Sequence, residues 1–149
     1  MNNAVFFHCE DISFDLKSEH QVIEWINQMA EFYDVKINDI NYIFCSDKYL
    51  LDINKEYLNH DYLTDIITFD NRESENDGIE SDIFISIDRV KDNADSLGLS
   101  FNEEIRRVII HGFLHLVGFK DKTDEESDNM RLAEDNALNK YNKMFHVEQ

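Results

Sequence analysis

The chain predicts an α+β fold, a small mixed four-stranded sheet packed with about five helices in the order βαβαββααα, and three observations carry that prediction. Short runs rich in β-branched and aromatic residues recur four times. Between and after them stand segments whose apolar residues recur at helical spacing. Three of those segments open on Ser or Thr with Glu or Gln three residues later, the pattern of a reciprocal N-terminal cap. Of the 149 residues 42% are apolar and 12% aromatic, enough for a core. No repeat, linker or low-complexity stretch divides them, so residues 1–149 are expected to form one domain.

Residues 4–8 read as a first strand. From residue 18 the spacing turns helical, with Val22, Ile23, Trp25, Ile26, Met29, Phe32 and Tyr33 apolar and Ser18 with Gln21 as a capping box. Residues 40–45 form a second strand, and Ser46 caps a short helix whose stripe is Tyr49, Leu50, Ile53 and Tyr57. A loop is expected over 58–64. Residues 65–70 and 82–87 are β-rich, the latter with Ile83, Ile85 and Ile87 alternating; the acidic loop 71–80 between them suggests an antiparallel hairpin with a long connection. Asp88 is expected to cap a helix ending at Gly98. Ser100 with Glu103 caps the next helix, which Gly118 stops, and Thr123 with Glu126 opens the last, carrying Met130, Ala133, Ala137, Leu138, Tyr141 and Phe145.

The net charge of -18 favours solubility and opposes non-specific binding to nucleic acid. The window 89–122 is less acidic, with six basic residues against five acidic, and is expected to mark the working face. Cys9 and Cys45, each inside a short apolar run, are expected to be buried thiols and not a disulfide or a cysteine zinc site. The first residues lack the basic start and apolar run of a secretion signal, and no stretch of eighteen apolar residues occurs, so a cytoplasmic protein is expected.

The most specific stretch is 111–121, H-G-F-L-H-L-V-G-F-K-D. Residues four apart on a helix share a face about 6 Å apart along the axis, so His111 and His115 can address one ion. Gly118 can end the helix and turn the chain so that Asp121 swings back as a third ligand. Three protein ligands leave a fourth position for water, as a catalytic zinc needs, although the same donors suit other divalent transition metals. The same spacing also suits two hydrogen-bonded core histidines with Asp121 opening the next cap. Apolar neighbours from Val108 to Val117 place this helix in the core, where two imidazoles without a strong partner are costly. Gly112 stands where H-E-x-x-H proteases carry their general base, which argues against peptidase chemistry and suggests close packing against a strand. His8, His20, His60 and His146 have no ligand spacing and read as surface or structural histidines.

H-G-F-L-H-L-V-G-F, with L-D-I-N-K-E-Y-L-N-H-D-Y-L-T-D-I-I-T-F-D at 51–70 and D-I-F-I-S-I-D-R-V at 82–90, resembles the YbeY family of rRNA maturation endoribonucleases. The resemblance implies a single-domain, zinc-dependent enzyme with one Zn2+ per chain, acting on single-stranded precursor 16S rRNA in 3′-end maturation and in ribosome quality control. It implies the small ribosomal subunit and its proteins as partners. His111 and His115 match the first two metal histidines. Asp121 falls where the third histidine belongs, and Lys120 where the family usually has aspartate. Leu58 stands where many relatives carry an arginine; Lys120, Lys122 or Arg72 could supply the missing charge. Thr64, Asp65 and Thr68 fall on the segment that the family packs near the metal, where hydroxyls could bond phosphate and Asp65 could orient a ligand histidine; plain turn chemistry explains the same residues.

The implied chemistry is metal polarisation of a phosphoryl oxygen, with an acidified water serving as nucleophile or as base for the RNA 2′-hydroxyl. Weak activity on naked RNA and a strong salt dependence are expected from the overall charge. The alternatives are a zinc hydrolase acting on another substrate and an acidic ribosome-assembly factor with a structural zinc.

Overall fold

The computed structural model describes residues 4–147; residues 1–3 and 148–149, the ends of the expected domain, lie outside the described residues. The elements are β1 (Val5–Cys9), α1 (Glu19–Phe32), β2 (Ile37–Cys45), α2 (Asp47–Leu58), β3 (Ile66–Asp70), β4 (Ile79–Ser86), α3 (Ile87–Leu97), α4 (Phe101–Val117) and α5 (Asp124–Phe145). Their order is βαβαββααα, and the sheet is mixed. It runs β1-β2-β4-β3, with β1–β2 and β2–β4 parallel and β3–β4 the expected antiparallel hairpin.

Alternation along the strands feeds two cores. Tyr42, Phe44, Ile83 and Ile85 face a large cluster built with Trp25, Ile26 and Met29 of α1, Ile109, Ile110 and Phe113 of α4, and Met130, Ala137 and Tyr141 of α5. On the other face Leu50 and Ile53 of α2 close over Cys45 and Ile67. The helix with the two histidines, α4, is therefore central, as its apolar surroundings predict. Its depth is held by polar contacts too. The buried Tyr42 hydroxyl donates to the Ile109 carbonyl at 2.9 Å. A Cβ on Gly112 would sit 3.0 Å from Ile66 Cδ1 and 3.2 Å from Ile83 Cδ1, so the glycine lets α4 lie close on β3 and β4.

Several local expectations change. Strands β2 and β4 begin three residues earlier than their apolar runs, because Ile37 pairs with Ile79 across a stretch whose intervening residues are polar. Ser18 makes no side-chain cap; Gln21, its expected partner, instead accepts from the Tyr141 hydroxyl at 3.2 Å. Asp88 does not cap α3. That helix starts directly at the end of β4, Ser86 Oγ accepts from Arg89 N at 3.1 Å, and Asp88 accepts from Asp47 N at the start of α2. Cys45 is buried as expected, its thiol pushed up to about 12 by burial and then by nearby carboxylates. Cys9 is exposed, because it ends the edge strand β1. The boxes at Ser100–Glu103 and Thr123–Glu126 are both closed. Among the described residues no helix is long and apolar enough to cross a membrane.

Candidate metal centre

One turn of α4 separates His111 from His115, and their rings meet edge to face at 4.7 Å. Gly118 ends the helix at φ 127, a backbone angle that disfavours any side chain, and its N–H reaches the carbonyls of Leu114 and His115. Phe119 packs edge-on to Tyr33 at 5.7 Å, which anchors the turn. Asp121 is thereby carried back over the helix end, its Oδ2 3.4 Å from Nε2 of His111 and 3.4 Å from Nε2 of His115. Two ligands bound at about 2.05 Å on a tetrahedral ion lie roughly 3.3 Å apart, so both distances to Asp121 suit a divalent transition metal such as zinc. All three ligand atoms lie within 4.8 Å of one another, and among the described residues no other group of three His, Cys, Asp or Glu converges in this way.

The two histidines differ in what stands behind them. Nδ1 of His111 donates to Glu134 Oε2 of α5 at 2.7 Å, which leaves Nε2 facing Asp121. Arg107 donates to Glu134 Oε1 at 2.8 Å and to Asp135 at 2.7 Å, so the buried carboxylate is bonded on both oxygens. Burial works to lower the His111 pKa, but the Glu134 bond and the charges of Glu134, Asp121 and Asp65 outweigh it and raise it. For Glu134 burial works upward, and the bonds from His111 and Arg107 bring it below the ordinary carboxylate value. Sequence reasoning missed Glu134. A signal existed, since position 134 falls on the same stripe as Met130, Ala137 and Tyr141, and a carboxylate on an apolar stripe needs a buried partner.

His111, His115 and Asp121 border a cleft of about 640 Å³ between α4 and the segment from the end of α2 through β3. Thr64, Asp65 and Thr68 line it, as do Leu58 and Lys122. The Thr64 hydroxyl donates to the Ile66 carbonyl at 3.3 Å, and the Asp65 carboxylate accepts from Asn93 at 3.3 Å. Burial raises the Asp65 pKa against the opposing pull of His111. The carboxylate bonded to His111 is Glu134; Asp65, one of the residues that the resemblance offered for orienting a ligand histidine, bonds to Asn93. Lys120 does not line this cleft; it borders a neighbouring groove with Tyr33 and Phe119. Arg72 is committed, chelating Asp70 at 2.9 and 2.6 Å and donating to the Leu116 carbonyl at the end of α4. His60, read from sequence as a surface or structural residue, lines the cleft.

Of the cations in the less acidic window 89–122, Lys122 alone lines the cleft among the described residues. Arg89 pairs with Asp47 and Asp92, Arg107 with Glu134 and Asp135, and Arg106 lies over the Tyr141 ring. Asp47, Glu134 and Asp135, all outside the window, pair with Arg89 and Arg107, and a window of charge cannot register such pairing.

Comparison with known proteins agrees with the motifs. The family model described as Endoribonuclease YbeY matches residues 5–142. An Endoribonuclease YbeY of Cytophaga hutchinsonii is 50% identical over 135 residues, 91% of this chain and 94% of the relative. One from Flavobacterium psychrophilum is 48% identical over 139 residues, 93% of this chain and 95% of the relative. In fold, the chain is similar to the solution structure of TM1509 from Thermotoga maritima, with a TM-score of 0.59 and 22% identity, over 97% of this chain and 96% of that one. On the family match and these identities, the chain belongs to the YbeY endoribonuclease family.

Proposed function

We propose that this protein is a zinc-dependent endoribonuclease, one domain that cuts single-stranded precursor 16S rRNA in 3′-end maturation and serves in ribosome quality control. The observation that carries the reading is the convergence of His111, His115 and Asp121 on an open cleft in a chain of this family. Structural zinc is enclosed by four protein ligands, whereas the described residues offer three beside open space, which favours the enzyme over an assembly factor with a structural ion. A zinc ion held there would polarise a phosphoryl oxygen and acidify a water.

The chain's own residues have separable tasks in this reading. Glu134 orients His111. The Thr64 hydroxyl and the Lys122 ammonium bind the scissile phosphate, with Lys122 taking the part for which position favours it over Lys120. Asp65, with its raised pKa, holds or passes a proton at the cleft wall. Peptide hydrolysis by an H-E-x-x-H route is disfavoured, since a side chain at 112 would press into Ile66 and Ile83. The net charge of -18 suits docking on basic proteins of the small subunit in the cytoplasm better than capture of naked RNA.

Metal analysis of the purified protein, followed by cleavage of a single-stranded RNA by wild type and His115→Ala, tests this. We expect zinc at one ion per chain, loss of cleavage on chelation, and recovery on adding zinc. Unchanged cleavage without metal overturns the reading. A 2′,3′-cyclic phosphate on the product would assign attack to the RNA's own 2′-hydroxyl, and a 5′-phosphate with a 3′-hydroxyl would assign it to water.

A further inference from the structure

The segment leaving α2 presents an exposed pair of rings to the cleft. Asn59, at φ 56, ends the helix, and His60 and Tyr62 then stack with ring centroids 5.0 Å apart and planes 22° from parallel. Their contact is fastened by a 2.9 Å hydrogen bond between the Tyr62 hydroxyl and His60 Nδ1. The backbone is fastened as well. Asn54, only 1% exposed, donates from Nδ2 to the Tyr62 carbonyl at 2.9 Å, and its own carbonyl accepts from His60 N at 3.1 Å. Tyr62 nevertheless remains 56% exposed. An aromatic ring that is rigidly held yet open to solvent is arranged for contact with something outside the chain.

Charge says what that contact is not. Lys122 is the one Lys or Arg among the described residues lining the cleft, beside the carboxylates of Asp65, Asp70 and Asp121. A polyanionic strand cannot be held there mainly by its phosphates. Nucleobases, in contrast, carry apolar π-faces that stack on aromatic side chains irrespective of charge, provided the bases are unpaired.

We infer that the His60–Tyr62 pair is a platform on which an unpaired nucleobase of the RNA stacks, placing the neighbouring phosphodiester beside His111, His115 and Asp121. The inference rests on the endoribonuclease reading and adds to it the residues that select single strands. A duplex withholds its base faces from the platform. Few phosphates are neutralised, so binding loses only about 0.7 logarithmic units per neutralised phosphate for each tenfold rise in salt, a shallow slope in place of the strong salt dependence that the overall charge alone suggests.

The test measures kcat and KM on a single-stranded RNA for wild type, Tyr62→Leu and Tyr62→Phe, alongside quenching of a 2-aminopurine base in the same RNA on binding wild type. Tyr62→Leu, which keeps bulk but removes the π-face, should raise KM about 5- to 150-fold with kcat nearly unchanged. Tyr62→Phe, which keeps the face but loses the bond to His60, should raise KM less than Tyr62→Leu does. An RNA abasic at the stacked position should bind wild type and Tyr62→Leu alike. Unchanged KM in folded Tyr62→Leu overturns the platform while leaving the nuclease standing. Failure of wild type to cut or bind any RNA overturns the nuclease reading and the platform with it. Should Tyr62→Leu not fold, the 2-aminopurine signal of wild type decides, and binding without quenching overturns the inference.

Discussion

The two flanks of the metal cleft are built on opposite principles. On the α5 side His111, Glu134 and Arg107 form a continuous hydrogen-bonded chain sunk into protein, with the Glu134 side chain 7% exposed. On the α2 side His60 and Tyr62 stand open, held by their stack and by backbone bonds from Asn54. His111 belongs to the first region. His115, four residues on, faces the open cleft and takes its position from the helix and from Asp121. One flank would set the geometry of an ion held by His111, His115 and Asp121, and the other lies open to solvent. Rigidity costs little where burial already excludes water, whereas exposed groups need dedicated local bonds to stay in place.

Removing each histidine probes this division most strongly. Both His111→Ala and His115→Ala should lose more metal affinity than the roughly 10- to 100-fold that the loss of an outer partner costs. Only His111→Ala should also melt markedly earlier than metal-free wild type, because it leaves Oε2 of the buried Glu134 without a partner. Equal melting temperatures for the two variants would erase the distinction between the flanks.

Glu134→Gln should lower metal affinity by about 10- to 100-fold while all three ligands remain, as read by competition with a chelator. The proton provides a milder perturbation. With the His111 pKa raised above 6.5, the metal-free pair with Glu134 contributes stability that is full below that value and fades as pH rises through the raised one. The Glu134 contribution, its pKa lowered from 4.5, is present above that value and fades as pH falls through the lowered one. Metal must displace the His111 proton, so titration calorimetry should find affinity rising with pH and proton release larger at about pH 6 than at about pH 8.

Two smaller effects sharpen the picture of the buried side. Glu104 is 5% exposed like Glu134, but its Oε1 has no hydrogen-bond partner, and burial, then the charge of Asp65, raises its pKa. Its contribution is full below 4.5 and lost as pH rises through the raised value, so Glu104→Gln should stabilise the protein by about 1 kcal/mol near neutral pH and give no gain in acid. Gly112→Ala gains about 1 kcal/mol of helix propensity but presses on Ile66 and the fully buried Ile83, at an overpacking cost of about 1–3 kcal/mol. A net loss of roughly 1 kcal/mol is expected by denaturant unfolding.

Much of the fold was legible because its signals are local. Ile83 and Ile85 alternate, Ser100 and Thr123 find their glutamates three residues on, and Gly118 marks a helix end through its own backbone freedom. Local signals failed where a distant residue competed for the same group. Gln21 left Ser18 for Tyr141, and a strand running directly into α3 made Ser86 the cap in place of Asp88. In the candidate site, the spacing of His111, His115 and Asp121 was readable because one helix and one turn bring the three together. Glu134 and the ring pair of His60 and Tyr62 were not, since one depends on the packing of α5 against α4 and the other on the path of a loop pinned by Asn54.

The sequence alone determined the element order, the central helix and the three converging ligands, all consequences of periodicity and of a glycine turn within eleven residues. Only the tertiary structure decided which charges are spent and which face the cleft. Arg89 and Arg107 pair with Asp47 and Glu134, far off along the chain, while Lys122 lines the cleft and Lys120 a separate groove. Pairing depends on distances between segments that sequence separation does not encode, and electrostatic energy falls with those distances and with solvent exposure.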